Sequence, residues 1–572
     1  MTLVLPERDR LIGPLDLVPL PPRAFTDELT SVLFPFEEAE GTIVPSHVAR
    51  ARALAEAHVE SPTAAARLAQ AEQSVREDER AIAAAQRALT LIQNSPDVPA
   101  TVAAIQVLFG CGRFADALDA LGLLPEGPVR RMLGARLAAH QGDVDAAADF
   151  LDGLQGFDAF AMRGWVHLQR AEWPHAIHAL RSALKTTDRP TPGVLVNLGY
   201  AYAAMGSLKK AVRVTKQAQL LHPDSRAIVF NLVAFHRACG DLDAAQKEIK
   251  ELQKRHPHDV RIHFAEADVR LAARDIRGAQ KVLRRARTSM LWASANAVER
   301  AELVANLAFV AWRAGDQSRE ATRDVVIGEL EHIEYRSLEI ASMLPALMTS
   351  TGDAERLAGL FASLEGANPG DPLDFLRVHL ASLRWDFEEA TRLAVEFALR
   401  DIFNATAAAQ AIYLLADVRE DYETAIEIGT STIKRVPSSP ALRNNLAYAL
   451  ALADRLDSAR DVLPADSGDS VYMCATAALI DVLSGRVHEG ISGYRRAHEF
   501  ARAVSDPALG SLVTLNMSLA FHRLLKLRRI EGDVHFRPLT FPSGWQDDPR
   551  FVLLARIAER EGIPMEVAET IS

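Results

Sequence analysis

Cysteine is scarce in this 572-residue chain. Cys111, Cys239 and Cys474 lie far apart and are odd in number, which excludes a disulfide framework and any CxxC metal pair. Aromatic residues make up only 6%, and runs of β-branched residues are few, so a β protein has little to be built from. Long apolar runs are missing as well: no stretch reaches the roughly 20 apolar residues that cross a bilayer. The opening MTLVLPERDRLIGPLDLVPLPPR carries acids and prolines where a signal peptide needs a basic start and an unbroken apolar core. These absences lead to the expectation of a cytoplasmic protein with no membrane insertion. A formal net charge of -11 argues against a chain coated in basic surface for general nucleic-acid binding.

Catalytic signatures are equally thin. The sequence holds no GxxxxGK[ST] loop and no GxSxG elbow. His488-Glu489 and His498-Glu499 are followed at the fifth position by Ser492 and Arg502, not by a second histidine, so zinc-peptidase spacing is broken. GCGRFA at Gly110–Ala115 matches the GxGxxA dinucleotide fingerprint, but no alternation of strand and helix surrounds it. The expectation is a protein that is not an enzyme, with no cofactor and no metal.

What is present is helix-forming residue in quantity. Ala, Leu, Arg and Glu dominate, with 49% hydrophobic and 24% charged residues, a globular composition rich in strong helix formers. The length exceeds what one ordinary core serves, so the chain is either several domains or a repeat array. Repetition decides this. PGVLVNLGYAYAAMGSLKKAVRVTKQAQLLHPDS starts at Pro192, and RAIVFNLVAFHRACGDLDAAQKEIKELQKRHPHD follows from Arg226. Gly206 and Gly240, Ala211 and Ala245, and Pro223 and Pro257 are each 34 residues apart. Ala279 and Leu283 keep the phase, and weaker copies run in both directions, about twelve hairpins by phase counting.

Leu198, Gly199, Tyr202, Gly206, Ala211 and Pro223 match, in order, the pattern of the tetratricopeptide repeat family, which the chain resembles. Each residue has a physical reason. Gly206 tolerates positive φ where the first helix of a hairpin turns into the second. Gly199 and Ala211 let the two helices approach, and Pro223 ends the second. Asp454 and Trp385 stand where the turn glycine is expected, and Leu357 replaces the small alanine. The resemblance implies an all-α fold: an α-solenoid of helical hairpins forming a right-handed superhelix, with helical end caps. The expected organisation is an extended Pro-rich segment at 1–44, an N-terminal helical cap at 45–97, the solenoid at 98–500 and a C-terminal helical cap at 501–572.

Two periodic polar features are candidates for function. Asn197, Asn231, Asn306 and Asn445 recur at the sixth position of their units, a part of the first helix that in the family faces the concave groove. An amide there can donate and accept at once and so hold a peptide backbone. Tyr200, Phe230, Phe264, Phe309 and Tyr448 lie beside them as candidate receivers of apolar anchors. The alternative is that these asparagines serve local helix contacts and the aromatics serve the core. Asn231 and Arg261 match two positions of the family's chaperone-tail clamp, but Val196, Tyr200 and Ala265 stand where it needs Lys, Asn and a basic residue. Capture of a C-terminal carboxylate is therefore disfavoured.

The second feature is a basic ladder: Arg213 and Lys216, Lys247 and Lys250, Lys281 and Arg284, at the same two positions of consecutive second helices. Residues 209–287 hold 18 Lys and Arg against 9 Asp and Glu, a balance of +9 that leaves -20 for the rest of the chain. Its expected place is the convex surface. There it is either a solvated face with local pairs to Glu248 and Glu251 or a docking site for an acidic protein or a phosphate backbone. The reading that follows is an adaptor or scaffold gripping a partner segment of protein or peptide in its groove. The alternative is a regulatory subunit controlling an enzyme or effector, its basic stripe contacting an acidic domain or, less favoured, nucleic acid.

Overall fold

The computed structural model describes residues 45–75, 77–93, 97–187, 191–257, 259–288, 292, 295–369, 373–463, 470–503, 508–527 and 539–567. The expected extended segment at 1–44 lies outside the described residues. The fold is all-α, as the repeat resemblance implies, with one two-stranded parallel sheet of three residues per strand, Leu539–Phe541 with Met565–Val567. Two compact units are present. One comprises the described residues 45–205 and 209–223, the other 206–208 and 224–567.

In the first unit, helices Pro45–Ala57, Pro62–Ser74 and Asp78–Ile92 precede the hairpins. Helix pairs then follow: Val98–Gly110 with Phe114–Ala120, Pro128–His140 with Val144–Leu151, Phe157–Gln169 with Trp173–Lys185, and Pro192–Ala204 with Leu208–Leu221. Gly199 is where two helices meet closely: a Cβ there would overlap the Thr215 hydroxyl, and Ala211 is fully buried. The GCGRFA string lies at a helix-to-helix turn, with Gly112 at φ 74°, and contributes to no strand.

The second unit continues the pairing from Arg226–Cys239 with Leu242–Arg255 and Val260–Ala272 with Ile276–Thr288 to Val471–Leu483 with Val487–Ala503. One hairpin has its first helix broken into Leu338–Ala341 and Leu344–Leu347. Another, Ala405–Leu414 with Tyr422–Arg435, carries a π-helical segment, Leu415–Arg419, at its turn.

One local device builds most turns. At Gly240 (φ 78°) the chain enters the left-handed region, and the Asp241 amide reaches back to the His236 carbonyl while Gly240 bonds Arg237. These two bonds satisfy carbonyls that the helix end would otherwise orphan. Asp241 then caps the next helix, its carboxylate accepting from the Ala244 amide at 3.1 Å. The same closure occurs at Trp385 and Asp386, with Asp386 accepting from Glu389 at 3.1 Å. Trp385 (φ 61°) and Asp454 (φ 60°) thus hold the glycine's conformation without being glycine.

The C-terminal stretch does something an end cap does not. Ala508–Leu527 packs on Val471–Leu483 and Val487–Ala503, as a cap would. From Leu539 on the chain runs along the turns of earlier hairpins. Trp545–Asp547 packs on Thr351–Asp353, Arg556 lies 4.9 Å over the Phe387 ring, and Arg560 donates to the Val418 carbonyl at 3.1 Å and pairs with Glu420. The helix Pro549–Glu561 is buried around nearly its whole circumference, with only Arg556, Glu559 and Arg560 exposed. At about 1.5 Å per residue its 13 residues span roughly two hairpins.

Candidate interaction surfaces

The first helices present the asparagine row, and the structure places that row inside. Asn197, Asn231, Asn306 and Asn445 are 1–5% exposed. The Asn306 amide donates to the Glu302 carbonyl one turn back at 2.7 Å. The Asn445 amide donates to the Ala409 carbonyl of the preceding hairpin at 2.8 Å, and Asn444 donates to its oxygen at 3.0 Å. Phe230, Phe264 and Phe309 are likewise buried, each a member of a core formed where neighbouring helices meet. This corrects the open-groove picture for those positions. The side chains that recur at position six turn away from solvent, that of Asn306 onto its own helix and that of Asn445 onto the preceding hairpin. Tyr200 is half-buried, edge-on to Trp173 at 6.0 Å, and Arg261 is exposed. These two alone of the ten candidate groove residues offer side chains to solvent.

Tyr448 belongs to a buried polar seam that sequence reasoning missed. Its hydroxyl donates to Asp417 Oδ1 at 2.5 Å and accepts from Arg523 at 3.4 Å, and Arg523 pairs with Glu561 at 3.0 Å. The π-helical segment carries Asp417 inward, and the terminal helix supplies Glu561. Burial pushes the Asp417 carboxyl up, against the pull of Arg523, and holds the Tyr448 hydroxyl well above its usual range. The four side chains come from segments up to 144 residues apart (Asp417 to Glu561), so no local spacing could have announced them.

The basic ladder lies at the surface. Arg213 and Lys216 are exposed on Leu208–Leu221 in the first unit. In the second unit Lys247 and Lys250 are exposed on Leu242–Arg255, and Lys281 and Arg284 on Ile276–Thr288. Those four have no ion pair among the described residues. Of the two expected local partners, Glu248 and Glu251, the second is taken by Lys254 at 2.7 Å, which with nearby cations holds its carboxyl low. Ile276–Thr288 contains Arg277, Lys281, Arg284, Arg285 and Arg287 and no acid. Of these, Arg277 is paired with Asp316 and Arg287 lies 6.0 Å from the Trp292 ring centre. Lys281, Arg284 and Arg285 are exposed and make no ion pair among the described residues.

Among the described residues no group of three or more His, Cys, Asp or Glu side chains is placed to hold a metal ion, and no helix is long and apolar enough to cross a membrane. No protein-family model matches the chain, and no curated protein matches it in sequence. Among solved structures it is similar to the crystal structure of the APC/C hetero-tetramer Cut9-Hcn1, with 12% identity and a TM-score of 0.33, over 82% of this chain and 98% of that one. A likeness at that level carries nothing toward a function.

Proposed function

We propose that the chain is a protein-interaction scaffold, and that the surface it offers a partner in its second unit is the basic face of Leu242–Arg255 and Ile276–Thr288. The observation that supports this is the row of exposed cations, Lys247, Lys250, Lys281 and Arg284, which make no ion pair among the described residues of a chain whose net charge is -11. Cations left without partners in an acidic chain create a local positive field that attracts an acidic segment. The mechanism is shape and summed charge, with no covalent step. A partner held in the groove by the asparagine row has less support, because those amides are engaged in packing. On the alternative reading, in which the chain regulates an enzyme or effector, the same face would receive an acidic domain of that protein.

The test uses a fluorescent poly-glutamate peptide and the full chain. Exposed charge pairs contribute up to about 1 kcal/mol each, so K247E/K250E/K281E/R284E should weaken binding at least tenfold at low salt while the far-UV spectrum stays the same. Wild-type binding should also fall as salt shortens the screening length from about 10 Å at 0.1 M to about 3 Å at 1 M. Equal affinity in the variant would sink the proposal. Tighter binding of a 20-nucleotide single strand would move the face to nucleic acid.

A further inference from the structure

Within the first unit a cleft of about 470 Å³ opens between Trp173–Lys185, Pro192–Ala204 and Leu208–Leu221. Its walls and floor differ sharply in chemistry. Arg181 and Lys185, one turn apart on the first of these helices, stand on one side. Lys210 and Arg213 stand on the other. Between them Leu184, Leu198 and Tyr202 make an apolar floor, with the Lys210 ammonium 5.6 Å above the Tyr202 ring. All four cations are exposed, none has an ion pair among the described residues, and no acidic side chain lines the cleft.

We infer that this cleft is a peptide-binding site for a partner segment in which one large apolar side chain is flanked on both sides by carboxylates. The volume lies within the range of roughly 300–1,000 Å³ typical of ligand pockets, enough for one aromatic side chain and the backbone on either side. The floor supplies the surface against which that side chain leaves water. Each pair of cations supplies a field for one flank. A uniformly acidic segment would leave the floor wet, and an apolar segment would leave four cations unanswered, so the two halves of the site select together. The cleft opens beside the second helices of two consecutive hairpins, at positions distinct from the asparagine row. The inference does not rest on the basic face of the second unit.

The peptide Ac-Glu-Asp-Phe-Asp-Glu-amide, labelled and titrated into the full chain, tests it. Replacing its Phe by Ser should weaken binding about tenfold, the loss expected when a buried aromatic side chain is removed. The variant R181Q/R213Q, altered only at exposed positions, should bind the Phe peptide at least about fivefold less tightly, whereas R495Q, exposed on Val487–Ala503 and outside both surfaces, should bind it as wild type does. Equal binding of the Phe and Ser peptides would reduce the cleft to unspecific charge and overturn the inference. Unchanged affinity in R181Q/R213Q would overturn it too. So would a 12-nucleotide single strand that binds more tightly than the peptide and is lost in the same variant. Loss of peptide binding only in K281Q/R284Q would place the contact on the second unit's basic face and leave that proposal standing.

Discussion

At the scale of single residues, the lesson lies in Asn445. Its amide ties one hairpin to the one before through the Ala409 carbonyl, and its oxygen holds Asn444. Asn445→Ala would leave both of those buried groups without that partner, which costs about 1–3 kcal/mol. Urea titration followed by helical circular dichroism should show that loss, while poly-glutamate binding to the basic face stays as in wild type. An unchanged midpoint would mean that the two groups find other partners. The contrast with the turn residues shows which features the sequence makes legible. Gly240 lies at φ 78° where its 34-residue spacing from Gly206 places it, because a turn glycine answers to its own backbone. An asparagine's role depends on what covers it. Repetition puts Asn197, Asn231, Asn306 and Asn445 at a common position, but says nothing of whether a neighbouring helix covers it. The basic ladder was legible for the opposite reason: lysine and arginine at recurring positions are rarely buried unpaired, so their exposure follows from their type.

Among elements, the terminal helix Pro549–Glu561 departs furthest from a simple reading. Its pattern, PRFVLLARIAERE, predicts a helix, and one forms, with Asp548 capping it and Gly562 ending it in the left-handed region. What no periodicity conveys is its course along earlier hairpins, with Arg560 on Val418, 142 residues back, and Arg556 over the Phe387 ring. The apolar residues that surround it belong to one core running from Val378 to Ile563. The polar seam of Asp417, Tyr448, Arg523 and Glu561 sets its register, since a one-turn slip of about 5.4 Å would carry Glu561 away from Arg523. Leu554, 1% exposed within that core, is therefore expected to contribute strongly. Leu554→Ala should cost about 2–5 kcal/mol. Hydrogen exchange should then speed up at Leu415–Arg419, the π-helical turn that the helix covers, as well as in the helix itself. Faster exchange confined to Pro549–Glu561 would show that the turn holds its shape without the helix.

For the molecule as a whole, the repeat architecture changes what stability means. Within the second unit the buried apolar residues form successive clusters: Val229–Val269, Val260–Val310, Ala301–Leu383 and Val378–Ile563. Each draws on helices adjacent in sequence; the last is tied across a long stretch of chain by the terminal helix, and outside the cores the Ser438 hydroxyl donates to the Arg237 carbonyl, 201 residues earlier, at 2.8 Å. When a repeat contacts mainly its neighbours, stability is a sum of local terms and nearest-neighbour interfaces, and unfolding need not be all-or-none. Ile249→Ala and Ile412→Ala remove the same atoms from fully buried positions in the first and last of these clusters, and each should cost about 2–5 kcal/mol locally. The chain-wide consequences should differ. Ile249→Ala should raise exchange over Arg226–Arg255 and leave Pro440–Leu452 protected as in wild type. Ile412→Ala should be felt through Pro549–Glu561, because that helix packs on Leu415–Arg419, the turn that follows the helix carrying Ile412. Uniform loss of protection in both variants would mean that the unit unfolds as one body. In that case the partition of the core into clusters would describe packing without describing cooperativity.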